Sequence, residues 1–272
     1  MYQVWVEQVA DLGRVPGPEI FWMSHFEQWL SLHIYMLIIR GQGKTILVNC
    51  GPPLDYLDRM NAVWRDELGE PAHMTVTADQ QIDAVLARHG ISFDAVDMVI
   101  VTPLQAYALG NIDRFPSATI AISRTGWEDL LAPRYYDSRR HMAVPDHLLR
   151  YLIFEAWTEQ RVHLLDDEEV VVPGIRTAWM GTHHRSSLAV FIESAGGIVG
   201  FSDVMFYYAN VERNHPLGIQ ESMAECRRAY DRLRREAEIL VSPYDPDTAT
   251  RFPPGQDIGA AALSSAQRRQ KP

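Results

Sequence analysis

Two apolar runs of strand length, His33–Arg40 and Thr45–Cys50, are joined by the short connector Gly41-Gln42-Gly43-Lys44. The arrangement recurs where Leu188–Glu193 and Ile198–Ser202 meet across Ala195-Gly196-Gly197. Glycine in a short connector between β-rich runs is a hairpin signal. Hairpins in both halves of the chain are incompatible with strict β-α-β alternation and point to two mainly antiparallel or mixed sheets with helices outside. Further strand-like runs are Met98–Val101, Thr119–Ser123, Glu169–Val172, Arg176–Met180 and Ile239–Ser242. Thr77 and Gln80 form a T-x-x-Q capping box ahead of Ile82, Val85 and Leu86 at helical spacing, with Gly90 placed to end that helix. Asp146–Gln160 reads as a helix, and Gln220–Glu236 as a long amphipathic one with Met223, Cys226, Tyr230 and Leu233 on one side. The stretch 127–160 reads as a helical insertion between strands, of a size that often covers a site.

At 272 residues and 47% hydrophobic content the chain can bury a sizeable core. A net charge of −10, from 35 acidic against 25 basic residues, excludes the overall basic field that drives nucleic-acid binding. Apolar runs such as Tyr35–Ile39 are far too short to span a membrane. The opening MYQVWVEQVADLG lacks the basic and then apolar stretches of a secretory signal. Cys50 and Cys226 cannot by themselves form a disulfide framework or a cysteine-based zinc site. The expectation is a cytoplasmic protein with reduced thiols. It has one domain over residues 1–253 and a flexible tail over 254–272, which is small, polar and ends in RRQKP.

Four stretches, in order, resemble the metallo-β-lactamase superfamily, and within it the N-acyl-homoserine-lactonase-like branch. TILVNCGPP is similar to the strand that ends in Asp-Thr-Gly. DMVIVTPLQAYALGNIDRFPSATIAISRTGWE resembles the segment holding the H-x-H-x-D-H metal motif. MGTHHRSSLAVFIESAGGIVGFSDVMFYYANVE resembles the loop with a further metal-binding His, then a hairpin and the bridging Asp. ILVSPYDP is similar to the loop carrying the last His. The resemblance covers roughly His33 to Pro253 and implies an α/β (α+β) fold, an αββα sandwich with its site at one edge of the two sheets.

The metal chemistry that the resemblance implies does not carry over residue by residue. The first two motif histidines fall on Pro103 and Gln105, the motif Asp on Tyr107, and the His beside it on Ala108. The last His falls on Tyr244, and the supporting Asp of the Asp-Thr-Gly turn on Asn49. Of the seven ligand positions, only His183 and Asp203 keep their residue types. Zinc takes imidazole, thiolate or carboxylate ligands. Pro and Ala offer no donor, and Tyr ligates only as phenolate, from an ordinary pKa of about 10. The expectation is therefore a site without metal and without cofactor.

What remains is acid–base chemistry on a small-molecule substrate. His183 and Asp203 come from loops that meet in the resembled fold, and a carboxylate beside an imidazole fixes its tautomer and favours a base role. Tyr107 and Tyr244 are expected as hydrogen-bond donors to a carbonyl oxygen. Gln105, His184, His33, Phe21, Trp22, Phe206 and Tyr208 are expected around the substrate, with Arg185, Arg134, Arg139 and Arg140 available to a carboxylate. Ser186 and Ser187 follow His183, but no G-x-S-x-G elbow marks either as a nucleophile. Three readings stay open. One is a divergent metal-independent enzyme acting on a lactone- or amide-like carbonyl or moving a proton. Another is a ligand-binding pseudoenzyme. The third is a hydrolase with a mononuclear site rebuilt from His25, His33 or His184. The helix Gln220–Glu236 and the insertion offer surfaces for a homodimer.

Overall fold

The run Ile34–Ile39 is apolar at every position because both faces of its strand are buried. Ile34, Met36 and Ile38 point into one core, and Tyr35, Leu37 and Ile39 into another. Side chains alternate across a strand, so a continuous apolar run needs a layer on each side. That strand sits in a computed structural model describing residues 1–133 and 144–269.

In chain order the elements begin with β1 (Gln3–Pro16), α1 (Gly17–Ile20), β2 (Trp29–Gly41), β3 (Lys44–Val48), α2 (Leu57–Leu68), β4 (Ala72–Thr75) and α3 (Ile82–Arg88). Next come β5 (Met98–Val101), α4 (Ala106–Leu109), β6 (Thr119–Ser123), α5 (Arg124–Leu131), α6 (Asp146–Tyr151), a π-helical turn over Leu152–Ala156, and β7 (Val162–Leu165). The second half holds β8 (Glu168–Val172), β9 (Ile175–Trp179), β10 (Leu188–Ser194), β11 (Gly197–Ser202), α7 (Tyr208–Glu212), α8 (Met223–Glu236), β12 (Ile239–Val241), α9 (Thr248–Arg251) and α10 (Ile258–Arg269).

Among the described residues the strands form a seven-stranded sheet, ordered β4-β1-β2-β3-β5-β6-β7, and a five-stranded sheet, ordered β12-β11-β10-β9-β8. Both expected hairpins are present. Gly41 pairs with Lys44 across a turn in which Gln42 and Gly43 have φ of 52° and 73°, and Ser194 pairs with Gly197. Positive φ at both central residues is the twist that a two-residue hairpin requires. The sheets face each other across a core that includes Leu37, Val48, Ile100, Val190 and Phe201. The outer face of the large sheet is covered through Met60, Val85 and Leu148 of α2, α3 and α6, and that of the small sheet through Cys226, Tyr230 and Leu233 of α8. The expected αββα sandwich is therefore the observed architecture.

Three sequence expectations need correction. The Gln80 side chain does accept from the Thr77 N–H at 2.9 Å, but it closes a turn and the helix starts at Ile82. The expected helix 146–160 ends in the π-helical turn at Ala156. The tail expected to be flexible contains α10, because Ile258 is buried in the inter-sheet core and Gly259 lies against Ser194 at the hairpin, where a larger residue would clash. The insertion runs from α5 through the π-helical turn, and its residues 134–143, with Arg134, Arg139 and Arg140, lie outside the described residues. No helix among the described residues is long and apolar enough to cross a membrane.

Candidate functional site

A cavity of about 200 Å³ opens at one edge of the large sheet. It is walled by Leu12 and Val15 of β1, Leu32 of β2, Met60, Trp64 and Leu68 of α2, and Leu130 of α5. The acidic side chains Glu19, Glu67, Asp129 and Glu221 also line it, and further polar groups enter from two segments. The loop after β5 brings Gln105 and Tyr107, and the loop after β9 brings His183, His184, Arg185 and Ser186. Phe206 and Tyr244 close the floor. Mostly apolar walls with a few convergent polar groups are the usual composition of a small-molecule site.

His183 is 9% exposed. Its Nδ1 lies 3.2 Å from the carbonyl oxygen of Ile219, which can only accept, so Nδ1 carries a proton. Phe206 meets the imidazole edge-on at 4.9 Å between centroids, and the His184 ring lies 3.9 Å away. Edge contacts continue through Phe206–Tyr244 at 4.8 Å and Tyr244–Tyr107 at 6.2 Å, with Trp64 tilted against Tyr107 at 6.3 Å. The Tyr244 hydroxyl donates to that of Tyr107 at 3.4 Å. Burial holds the Tyr244 phenol well above its ordinary pKa, so it stays a neutral donor.

Asp203 is buried, and the structure overturns its pairing with His183. Thr102 Oγ1 donates to Oδ1 at 2.5 Å and Ser187 Oγ donates to Oδ2 at 2.5 Å, which leaves the imidazole oriented by the Ile219 carbonyl instead. Burial pushes the Asp203 carboxyl up to about 6, against the opposing pull of the two hydroxyls. Arg185 is held between Glu221 and Glu225 at 2.5 Å each and stacks over Trp179, so its charge is already balanced within the protein.

The structure brings Gln105, Tyr107, His183, His184, Phe206 and Tyr244 to one cavity. Four other candidates lie elsewhere. His33 packs toward Tyr35, with Nδ1 3.1 Å from its hydroxyl and Nε2 3.8 Å from Asp11. Phe21 is buried against His25, Tyr207 and His215, and Trp22 is largely exposed. Tyr208 is buried, bonded to Thr248 and covered by Arg251. Phe206 faces the cavity, but the chain turns into α7 directly after it and carries Tyr208 into the layer beneath α8. Sequence reasoning misses the walls from α2 and β1, although Met60, Trp64 and Leu68 share one face at helical spacing.

The donor set does not fit the metal that the resemblance implies. Positions 103 and 108 carry Pro and Ala, both Asp203 oxygens are engaged by hydroxyls, and the Tyr244 phenol is held neutral. The nearby Cys50 thiol is buried and pushed up to about 12, so it is not a thiolate donor. Among the described residues no three His, Cys, Asp or Glu side chains are grouped to hold an ion, which a site rebuilt from His25, His33 or His184 would need.

No family model matches the chain, and no curated protein matches it in sequence. Solved structures match by shape. An N-acyl homoserine lactone hydrolase, with the product N-hexanoyl-L-homoserine bound at its catalytic metal center, has a TM-score of 0.72 at 16% identity, over 91% of this chain and 95% of that one. A probable metal-dependent hydrolase from Staphylococcus aureus has a TM-score of 0.66 at 14% identity, covering 90% and 89%. A dizinc quorum-quenching lactonase in complex with a homoserine product has 0.63 at 10%, covering 90% and 88%. At these identities the likeness establishes architecture alone: the chain shares the two-sheet fold of these hydrolases.

Proposed function

We propose that the protein is a metal-independent enzyme of this fold that acts on a small carbonyl compound bearing an apolar arm. The observation that carries the reading is the convergence of His183, Gln105 and the Tyr244–Tyr107 pair on one apolar-walled cavity. The apolar arm lies against Leu12, Leu32, Met60 and Leu68. The carbonyl oxygen takes a proton donor from Tyr107, whose own oxygen accepts from Tyr244, so the pair is polarised toward the substrate.

For hydrolysis, His183 Nε2 takes a proton from water as the water oxygen bonds to the carbonyl carbon. The C=O π pair moves onto oxygen and is stabilised by the phenol. Collapse breaks the bond to the leaving oxygen or nitrogen, which takes the proton back from His183. The Ile219 carbonyl holds the required tautomer throughout. Lactones and amides with an acyl chain are the first compounds to try, because structural neighbours bind N-hexanoyl-L-homoserine. Two free, buried thiols fit a reducing, cytoplasmic setting.

A second reading, ligand binding without turnover, is favoured by the engagement of Asp203 with Thr102 and Ser187 rather than with the imidazole. A panel of N-acyl homoserine lactones, esters and amides, followed by thermal shift and by mass detection of product, separates the two. Product formation that persists in chelator and falls about 10²–10⁴-fold in His183→Ala supports the enzyme. Thermal stabilisation without product supports the binder.

A further inference from the structure

We infer that Asp203 is a positioning residue. Its buried carboxylate ties the loop carrying Gln105 and Tyr107 to the loop carrying His183 and His184, so that both present their side chains to the cavity as one body. The inference rests on taking that cavity as the reacting site.

The directions of the hydrogen bonds make the case. A hydroxyl has one proton to give. Ser187 Oγ accepts the His184 N–H at 3.1 Å and sends its proton to Asp203 Oδ2. Thr102 Oγ1 accepts the Leu188 N–H at 2.8 Å, and of the two acceptors within its reach, the Leu188 carbonyl at 3.3 Å and Asp203 Oδ1 at 2.5 Å, the carboxylate is the nearer. Both hydroxyls are thus oriented by backbone N–H groups toward an acceptor, and an ionised carboxylate accepts at both oxygens. Asn49 brackets the Thr102 backbone, accepting from its N–H at 2.8 Å and donating to its carbonyl at 2.9 Å. That task needs a donor and an acceptor on one side chain, which the Asp of the resembled motif does not supply when ionised. Ser186 Oγ adds a second tie between the loops by accepting the Leu104 N–H at 2.9 Å. Asp203 itself does not line the cavity, so it acts on a substrate only through these loops.

Asn at position 203 would present an N–H₂ group to one hydroxyl whose proton already points at it, which breaks one arm. Ser187→Ala cuts the arm to the His183 loop alone, and Thr102→Ser keeps the hydroxyl and both arms. The test is amide hydrogen exchange on the full-length chain, with the ring-nitrogen resonances of His183 as a second readout. In Ser187→Ala, exchange in residues 181–187 is expected to rise by about tenfold or more while β2 and α8 keep their protection. The His183 ring is then expected to leave its single tautomer. Asp203→Asn is expected to loosen 102–109 or 181–187 or both, and Thr102→Ser to match the wild type. Unchanged exchange at both loops in Ser187→Ala and Asp203→Asn would overturn the inference. Protection lost equally across β2 and α8 would also overturn it. Loosened loops in a protein that turns over none of the panel leave the inference standing and refute the catalytic reading instead.

Discussion

The hydroxyl of Tyr244 donates to the hydroxyl of Tyr107 across 3.4 Å, joining side chains 137 residues apart at the floor of the cavity. The two phenols have different tasks. Tyr244 is buried and, in the proposed reaction, polarises its partner, whereas Tyr107 is half-buried and lines the cavity. Tyr107→Phe is expected to lower kcat/KM by about 10²-fold with little change in Tm, since it removes the donor to the developing oxyanion. Tyr244→Phe is expected to lower it less, by about tenfold, and to cost about 1 kcal/mol in urea unfolding for one neutral hydrogen bond. Equal losses from both substitutions would show that the pair does not work in that order.

Asp203 sets a pH dependence of stability. Its folded pKa is raised from 3.8 to about 6, so its contribution is fully present below pH 3.8 and is lost as the pH rises through about 6. The loss is on the order of 3 kcal/mol, because each tenfold change in proton affinity is worth about 1.4 kcal/mol. Measured as the difference in unfolding free energy between wild type and Asp203→Asn, the wild type is expected to lose ground between pH 4 and 6 and then hold level. A difference that stays flat from pH 4 to 7 would mean the carboxyl is not held in a desolvated site.

Glu7 works in the opposite sense. Burial raises its carboxyl, but hydrogen bonds from His89 and Arg88, each at 2.8 Å, more than offset that and leave its pKa lowered. Its contribution is therefore present above the ordinary carboxylate range and lost as the pH falls below it. Glu7→Gln is expected to cost about 1–3 kcal/mol at pH 7, where Arg88 and His89 lose a charged partner. The deficit should shrink at pH 3.5, where the wild-type carboxyl is itself becoming protonated. Chemical denaturation at the two pH values checks the sign.

The sandwich was legible in the sequence because its central strands advertise themselves. Met98–Val101 and Thr119–Ser123 lie where their apolar runs place them, and both glycine-bearing hairpins form. The strand β1 was not legible. It carries Glu7, Gln8 and Asp11 in its interior, and register shifts between Gln8 and Ala10 and between Asp11 and Gly13 break its alternation. Its acidic residues are accommodated by partners far along the chain, such as Arg88 and His89 for Glu7, which no local pattern displays. At the site, matching by position singled out His183, Gln105, Tyr107 and Tyr244, and the structure places these four along one cavity. Matching could not say which group holds which. Chain order puts Asp203 within reach of the imidazole and of several hydroxyls alike. Those of Thr102 and Ser187 claim it because backbone N–H groups have already turned them that way.

The central claim is that this cavity does its chemistry with side chains and not with an ion. It is tested most directly by elemental analysis of protein purified without chelator from medium supplemented with zinc, manganese and iron, paired with Tm and turnover before and after chelator treatment. Expected is well under one metal per chain, with Tm and any turnover of the acyl lactone panel unchanged by chelator. One or more tightly held ions per chain, with Tm and turnover falling on their removal and returning with the metal, would contradict it.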